Sequence, residues 1–304
     1  MNVDSCFAQW HVRLVATARS RRAAGGAGVP DFIASDGVSI VYDDRGSGRS
    51  VVLLHGLMAH RGFFRAQAPL ARSHRLVVPD LRGMGGSRAH AGLTVARLAA
   101  DIAELADALD LEGAVAVGWS LGAAVMWELL AGPAAWRFAG AAVVDMTPCT
   151  RNTADWTLGL SPGLCEARRE AIEADFPAFA AGAGQAIFAQ PIPPECQPVA
   201  DWASAEFARN DPHAIARLWS SLVEQDSRAQ LARITQPTLI VHGAGSHLYG
   251  EETAAYLEGA IPWSRRVTFA RSGHSPLLEE PELFNRTLSE FAASLPPVRQ
   301  RQSA

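Results

Sequence analysis

The chain has 304 residues, 48% of them apolar and 19% charged, with a formal net charge of −4, which is ample to bury a core and too apolar for a disordered polymer. The near-neutral balance gives no electrostatic case for nucleic acid or an acidic membrane, so neither is expected as a partner. All 27 basic residues are Arg, which closes Schiff-base chemistry through a Lys amine and a P-loop Lys on a nucleotide phosphate.

Residues 1–30 read as an extension without fixed structure, and the ordered part is expected to begin near Asp31. The apolar stretch Val12–Ala18 is short, broken by Arg13, and precedes most of the local charge, an order wrong for a signal peptide. No apolar run approaches ~18 residues, so no membrane span is predicted and a cytoplasmic location follows by default. Phe32 to Tyr42 reads as strand, Gly37 turn and strand, with a tight turn at 43–48. Val51–Leu54, Arg75–Pro79, Ala114–Val117, Ala141–Val144, Thr238–Val241 and Arg266–Phe269 read as short strands, most of them apolar on both faces. Between them, Leu93–Leu109 and Leu121–Leu130 repeat at helical spacing, and Glu282–Ser294 forms a last helix before a polar tail at 297–304. Residues 147–232 break the alternation with helical patches at Glu166–Ala181 and His213–Gln225. This pattern predicts an α/β fold with a mostly parallel sheet, helices on both faces, and a helical insertion. The core is expected at 31–146 and 233–296, with 147–232 as the insert.

Cys6, Cys149, Cys165 and Cys196 form no C-x-x-C pair and have no His at zinc-like spacing. They read as buried or loop thiols, and no metal site is expected. Gly118-Trp119-Ser120-Leu121-Gly122 matches G-x-S-x-G, with a predicted strand before it and a helix after it. That context puts Ser120 on a strained turn with a helix N-terminus facing the reacting centre, as a nucleophile requires. A second match, Gly159–Gly163, has no strand before Ser161 and a Pro after it, and reads as loop. His55-Gly56-Leu57-Met58 follows the first buried strand. A backbone N–H there, Leu57 first and Met58 second, can pair with that of Leu121 as an oxyanion hole. The His55 side chain reads as a hydrogen-bonding partner for nearby loops. A Ser nucleophile needs a base of near-neutral pKa, and His274, on a Gly-flanked loop after the last strand, is the histidine placed to supply it.

These residues resemble the α/β-hydrolase family over about 31–295. The resemblance rests on His55-Gly56, Asp80–Ser87, the Ser120 turn, His242-Gly243, and Gly273-His274 followed by Leu277–Pro281. It implies an eight-stranded, mostly parallel sheet, a helical cap after the sixth strand, and no cofactor, with Asp80 and Ser87 as structural residues. One position departs from the family's commonest pattern. Ser246 stands where the acid of the triad usually follows His-Gly. Some members take that acid from the end of the sixth strand, which here is Asp145; Asp226, Glu251 and Glu252 are the other candidates. The expected reaction is hydrolysis of an apolar carboxylic ester or lactone through an acyl-enzyme. The same triad also serves cofactor-free haloperoxidases or perhydrolases, C–C hydrolases and acyltransferases, and the scaffold serves non-catalytic ligand receptors. The insert carries Trp156, Phe176, Phe179, Phe188, Trp202, Phe207 and Trp219, of which about half are expected to line an apolar pocket and the rest to form the insert's own core. Met58, Trp119, Trp156 and Trp219 are the substrate-binding candidates.

Overall fold

The computed structural model describes residues 30–297 and the backbone of Ser20–Arg21. The strands are β1 (Ser20–Arg21), β2 (Asp31–Ile33), β3 (Ser39–Arg45), β4 (Arg49–Leu54), β5 (His74–Pro79), β6 (Ala114–Trp119), β7 (Phe138–Val144), β8 (Thr238–Gly243) and β9 (Ser264–Phe269). They form one sheet in the order β1-β2-β3-β5-β4-β6-β7-β8-β9. From β5 through β9 every neighbouring pair is parallel, while β3 pairs antiparallel with both β2 and β5. The eight strands β2–β9 are thus the expected mostly parallel sheet, and β1 adds a two-residue edge antiparallel to β2. That edge falls inside the stretch expected to lack structure; the rest of 1–29, and the tail beyond 297, lie outside the described residues.

The helices are α1 (Val95–Ala108), α2 (Leu121–Ala131), α3 (Pro162–Ala174), α4 (Phe176–Ala186), α5 (Gln197–Phe207), α6 (Pro212–Glu224), α7 (Arg228–Leu231), α8 (Glu251–Ala260), α9 (Pro276–Glu279) and α10 (Pro281–Ser294). All residues of β6 and β8 are buried, and so are the last five of β4. Burial on both faces explains why these strands are continuous apolar runs in the sequence. Helices α3–α7 all fall between β7 and β8. The single helix predicted over 166–181 is two: α3 stops at Asp175, whose side chain accepts from the Ala178 amide and starts α4. Pro177 enforces the break, since a proline lacks the N–H a continuing helix needs and disfavours helical backbone before it. The turn expected at 43–48 is shorter, because β3 runs on to Arg45 against β5. No helix among the described residues is long and apolar enough to cross a membrane.

The chain passes from β4 to β5 on one side and then to β6 on the other, so the topology reverses at β4. Crevices at the carboxyl ends of strands beside such a reversal are where open α/β sheets place their sites. Register aligns those ends: Leu54 pairs with Gly118, Trp119 with Val144, Val144 with Val241, and Gly243 with Phe269. The loops that follow carry His55, Ser120, Asp145, Ser246 and His274 to one edge.

Candidate active site

Ser120 sits between β6 and α2 with φ 54° and ψ −122°, a left-handed backbone that L side chains rarely adopt. Its amide donates to the Val144 carbonyl at 3.1 Å, and its carbonyl accepts from Ala123 at 2.8 Å. The two glycines of the motif are spacing requirements. A Cβ on Gly118 would lie 2.5 Å from the Ala123 Cα, and one on Gly122 would lie 2.6 Å from the Leu54 carbonyl carbon and closer still to its oxygen. Gly122→Ala is therefore expected to lower stability by about 2 kcal/mol, a fall in Tm of about 5 °C. Gly259→Ala in α8, where a Cβ meets nothing within 4 Å, should instead hold or gain about 0.5 kcal/mol. Thermal unfolding of both variants separates collision from helix propensity.

Leu121 opens α2, whose first amides have no intrahelical acceptor. Leu57 lies in the loop after β4, and its amide donates to no carbonyl among the described residues. Met58 is held at φ 64° and its carbonyl accepts from Asn210 Nδ2 at 2.7 Å, so the loop is pinned from the α5–α6 connection. Both nitrogens of the buried His55 ring are taken up by loop backbone. Its Nδ1 donates to the Gly56 carbonyl at 2.8 Å and its Nε2 accepts from the Leu81 amide at 2.9 Å. Asp80 anchors the glycine loop as expected, accepting from the amides of Arg61 and Gly86 at 2.7 Å each and from the Arg61 guanidinium. Ser87 Oγ accepts from the Val41 amide at 2.9 Å.

Asp145 follows β7 directly, at φ 45° with its carboxylate buried. Oδ2 accepts from His274 Nδ1 at 2.7 Å and from Ser246 Oγ at 2.6 Å, and Oδ1 accepts from His242 Nδ1 at 3.0 Å. Burial alone would raise this carboxyl, yet the donors His242 and His274, the His274 charge and Ser246 together hold it below the ordinary aspartate value. Ser246, at the position of the missing acid, therefore donates into the carboxylate from the loop after the neighbouring strand β8. The other carboxylate candidates are placed elsewhere. Asp226 pairs with Arg228 at 2.7 Å, Glu251 pairs with Arg266 at 3.1 Å, and Glu252 is exposed. With Nδ1 of His274 on Asp145, Nε2 is the nitrogen left for proton transfer. Trp119 Nε1 donates to the His274 carbonyl at 2.9 Å, fixing the loop that carries the ring.

Glu279, given no role by the sequence reading, holds that loop by its backbone. It accepts from the Gly273 amide at 2.8 Å, from Ser275 at 3.3 Å, and from Ala189, in the α4–α5 connection, at 2.7 Å. Burial pushes its carboxyl up to about 7 against those donors. His55 is pushed the other way, down to about 4, again by burial first, with Asp80 opposing. The linkage signs are opposite. A depressed His55 contributes stability that is complete above its unfolded value near 6.5 and is lost as pH falls toward 4, on the order of 3 kcal/mol. A raised Glu279 favours the fold as pH falls from 7 toward 4.5, by less, since it is partly exposed. Between pH 7 and pH 4.5 the urea midpoint should therefore fall with acid more than the native chain's in Glu279→Gln and less than the native chain's in His55→Asn. Variants that both depart from the native acid dependence in the same direction would contradict the assignment.

Ser120 and His274 line one cavity of about 360 Å³ with Leu57, Met58, Trp119 and Trp219. From the insert, Phe179, Phe207 and Trp219 face it; Phe176, Phe188 and Trp202 do not. Trp156 is a correction to the substrate-binding set. Its indole N–H finds the Cys149 carbonyl at 2.8 Å and its ring packs edge-on against Tyr256, so a satisfied, buried donor holds it outside the cavity. Ser161 caps α3, accepting from the Leu164 amide, as a loop serine does. A larger hollow of about 570 Å³ lies across the Met58–Asn210 contact. It contains neither Ser120 nor His274, and Arg61, His60 and Arg209 on its wall are paired with Asp80 and Glu206. No group of three or more His, Cys, Asp or Glu side chains able to hold a metal occurs among the described residues.

A strained serine between a parallel strand and a helix, and a histidine oriented by a buried aspartate at the same sheet edge, define the α/β-hydrolase class of site. The chain matches the alpha/beta hydrolase family over residues 51–287 and belongs to it. It is 30% identical to a pimeloyl-[acyl-carrier protein] methyl ester esterase of Nitrosomonas europaea, over 81% of this chain and 96% of the relative. An AB hydrolase superfamily protein of Bacillus subtilis is 28% identical over 84% and 96% of the two chains. Among solved structures, an esterase from Exiguobacterium antarcticum superimposes with a TM-score of 0.82 at 28% identity, covering 87% of this chain and 99% of that one.

Proposed function

We propose that this hydrolase-family chain cleaves a carboxylic ester or lactone with an apolar acyl part, through an acyl-enzyme on Ser120. The observation that carries the reading is the 2.7 Å bond from His274 Nδ1 to the buried Asp145 carboxylate, with His274 lining the same cavity as Ser120. Ser120 Oγ attacks the carbonyl carbon while His274 Nε2 takes its proton. The proton then passes to the leaving oxygen, and Asp145 stabilises the transient imidazolium. The amides of Leu57 and Leu121 receive the oxyanion. Water, activated by His274, returns Ser120 and releases the acid. No step calls on a cofactor. Residues 147–232 act as a cap over the core of 31–146 and 233–296, and Met58, Trp119 and Trp219 line the acyl site. The esterase names of two relatives support the ester class. A fluorophosphonate probe tests the reading: it should label the native chain at Ser120, and Ser120→Ala should stay unlabelled. A native chain that takes no label would overturn it.

A further inference from the structure

The cavity around Ser120 is walled mostly by apolar side chains, yet one full positive charge lines it: Arg168 of α3. No carboxylate lines it with Arg168. The adjacent Arg169 shows what a committed arginine looks like on the same helix, bridging Glu166 at 2.5 Å and Glu173 at 2.6 Å. Arg168 makes no ion pair and no hydrogen bond among the described residues. Its guanidinium carbon stands 5.6 Å from the centroid of the Trp219 ring. That ring is itself fixed, since Trp219 Nε1 donates to the Cys165 carbonyl, one turn earlier on α3, at 3.0 Å.

A half-buried guanidinium facing an apolar hollow gives up hydration, and an aromatic face returns only about 0.5–2 kcal/mol of it. Its five donors form a planar fork that matches a carboxylate in two parallel bonds. One charge on the wall suits one charge on the ligand, so a carboxylate fits where a phosphate dianion would remain under-compensated. We propose that Arg168 selects esters whose acyl chain ends, away from the scissile carbonyl, in a carboxylate. The apolar acyl part of the proposed function then narrows to an ω-carboxy acyl chain, apolar along its methylenes against Phe179, Phe207 and Leu222 and charged only at its far end on Arg168.

This rests on the hydrolase reading of Ser120, and two measurements keep them separable. The first compares kcat/KM for p-nitrophenyl esters of graded chain length, each with a terminal carboxylate or a terminal methyl. The native protein should favour the carboxylate at its best length by about tenfold to hundredfold, the range of a charge-assisted hydrogen bond. Arg168→Met should abolish that preference through KM while leaving the methyl-ended esters within a few-fold. Arg168→Lys should keep part of it. The second measures calorimetric binding of a dicarboxylic monomethyl ester against its dimethyl ester to Ser120→Ala, with and without Arg168→Met. Equal rates for the two ester series, or a preference untouched by Arg168→Met, overturns the proposal and leaves the hydrolase reading standing. If neither ester series is cleaved, the hydrolase reading falls, and the binding preference alone upholds or overturns the role of Arg168.

Discussion

Ser120→Ala is expected to lower kcat/KM for short p-nitrophenyl esters by at least about a thousandfold, with KM little changed. A thousandfold is about 4 kcal/mol of transition-state stabilisation. The size follows from what is removed. In the proposed mechanism, loss of Oγ removes the acyl-enzyme, so water would have to attack directly across a site shaped for a bound nucleophile. The proposed oxyanion donors, the Leu57 and Leu121 amides, and the cavity remain, which is why residual hydrolysis above the uncatalysed rate is expected. Stability should move little, because the Ser120 side chain caps no helix and its backbone bonds to Val144 and Ala123 persist. An alanine at φ 54° keeps the strain the serine already bears. Equal Tm with retained ester hydrolysis would remove Ser120 from the nucleophile's role.

The parts of this molecule that are legible in its sequence are those whose signal is local. β4, β6 and β8 announce themselves because both of their faces are buried, and the Ser120 turn because strand, glycines and helix are contiguous. Asp145 is harder to read, since its environment is assembled from afar. His242 and Ser246 reach Asp145 across 97 and 101 residues, and no spacing rule connects them. α8 escapes the periodicity reading because its buried residues are Thr253, Ala254 and Leu257, too small and few to draw an apolar stripe. Composition counts the aromatic side chains of the insert but not their direction. Trp156 turns from the cavity because the Cys149 carbonyl satisfies its N–H, while Trp219 faces it with its N–H satisfied by Cys165. Glu279 carries no motif of its own, and its grip on three backbone amides appears only once the loops meet.

Asp145→Asn is expected to lower kcat for the same esters by about a thousandfold to ten-thousandfold. The carboxylate accepts from three donors at once: His242, Ser246 and His274. An amide has only one oxygen, so its NH2 must face at least one of those donors. If it faces His274, the imidazole accepts at Nδ1 and carries its proton on Nε2, the wrong tautomer for a base. If it faces His242, that side chain must re-form its bond or lose it, and the imidazolium at His274 still loses its counter-charge. Ser246→Ala removes a single neutral donor and leaves the carboxylate, so a few-fold loss is expected there. Ser246→Asp has a different meaning in the two backgrounds. Beside an intact Asp145, a second carboxylate within hydrogen-bond range forces the pair to share a proton and should depress activity. Added to Asp145→Asn, it restores a negative charge at the position where the commoner pattern has one, and activity should rise above that of the single variant. Steady-state kinetics on the four variants, with Tm recorded for each, carry the test. An Asp145→Asn protein that keeps more than about a tenth of native kcat at unchanged fold would take the orienting role away from Asp145.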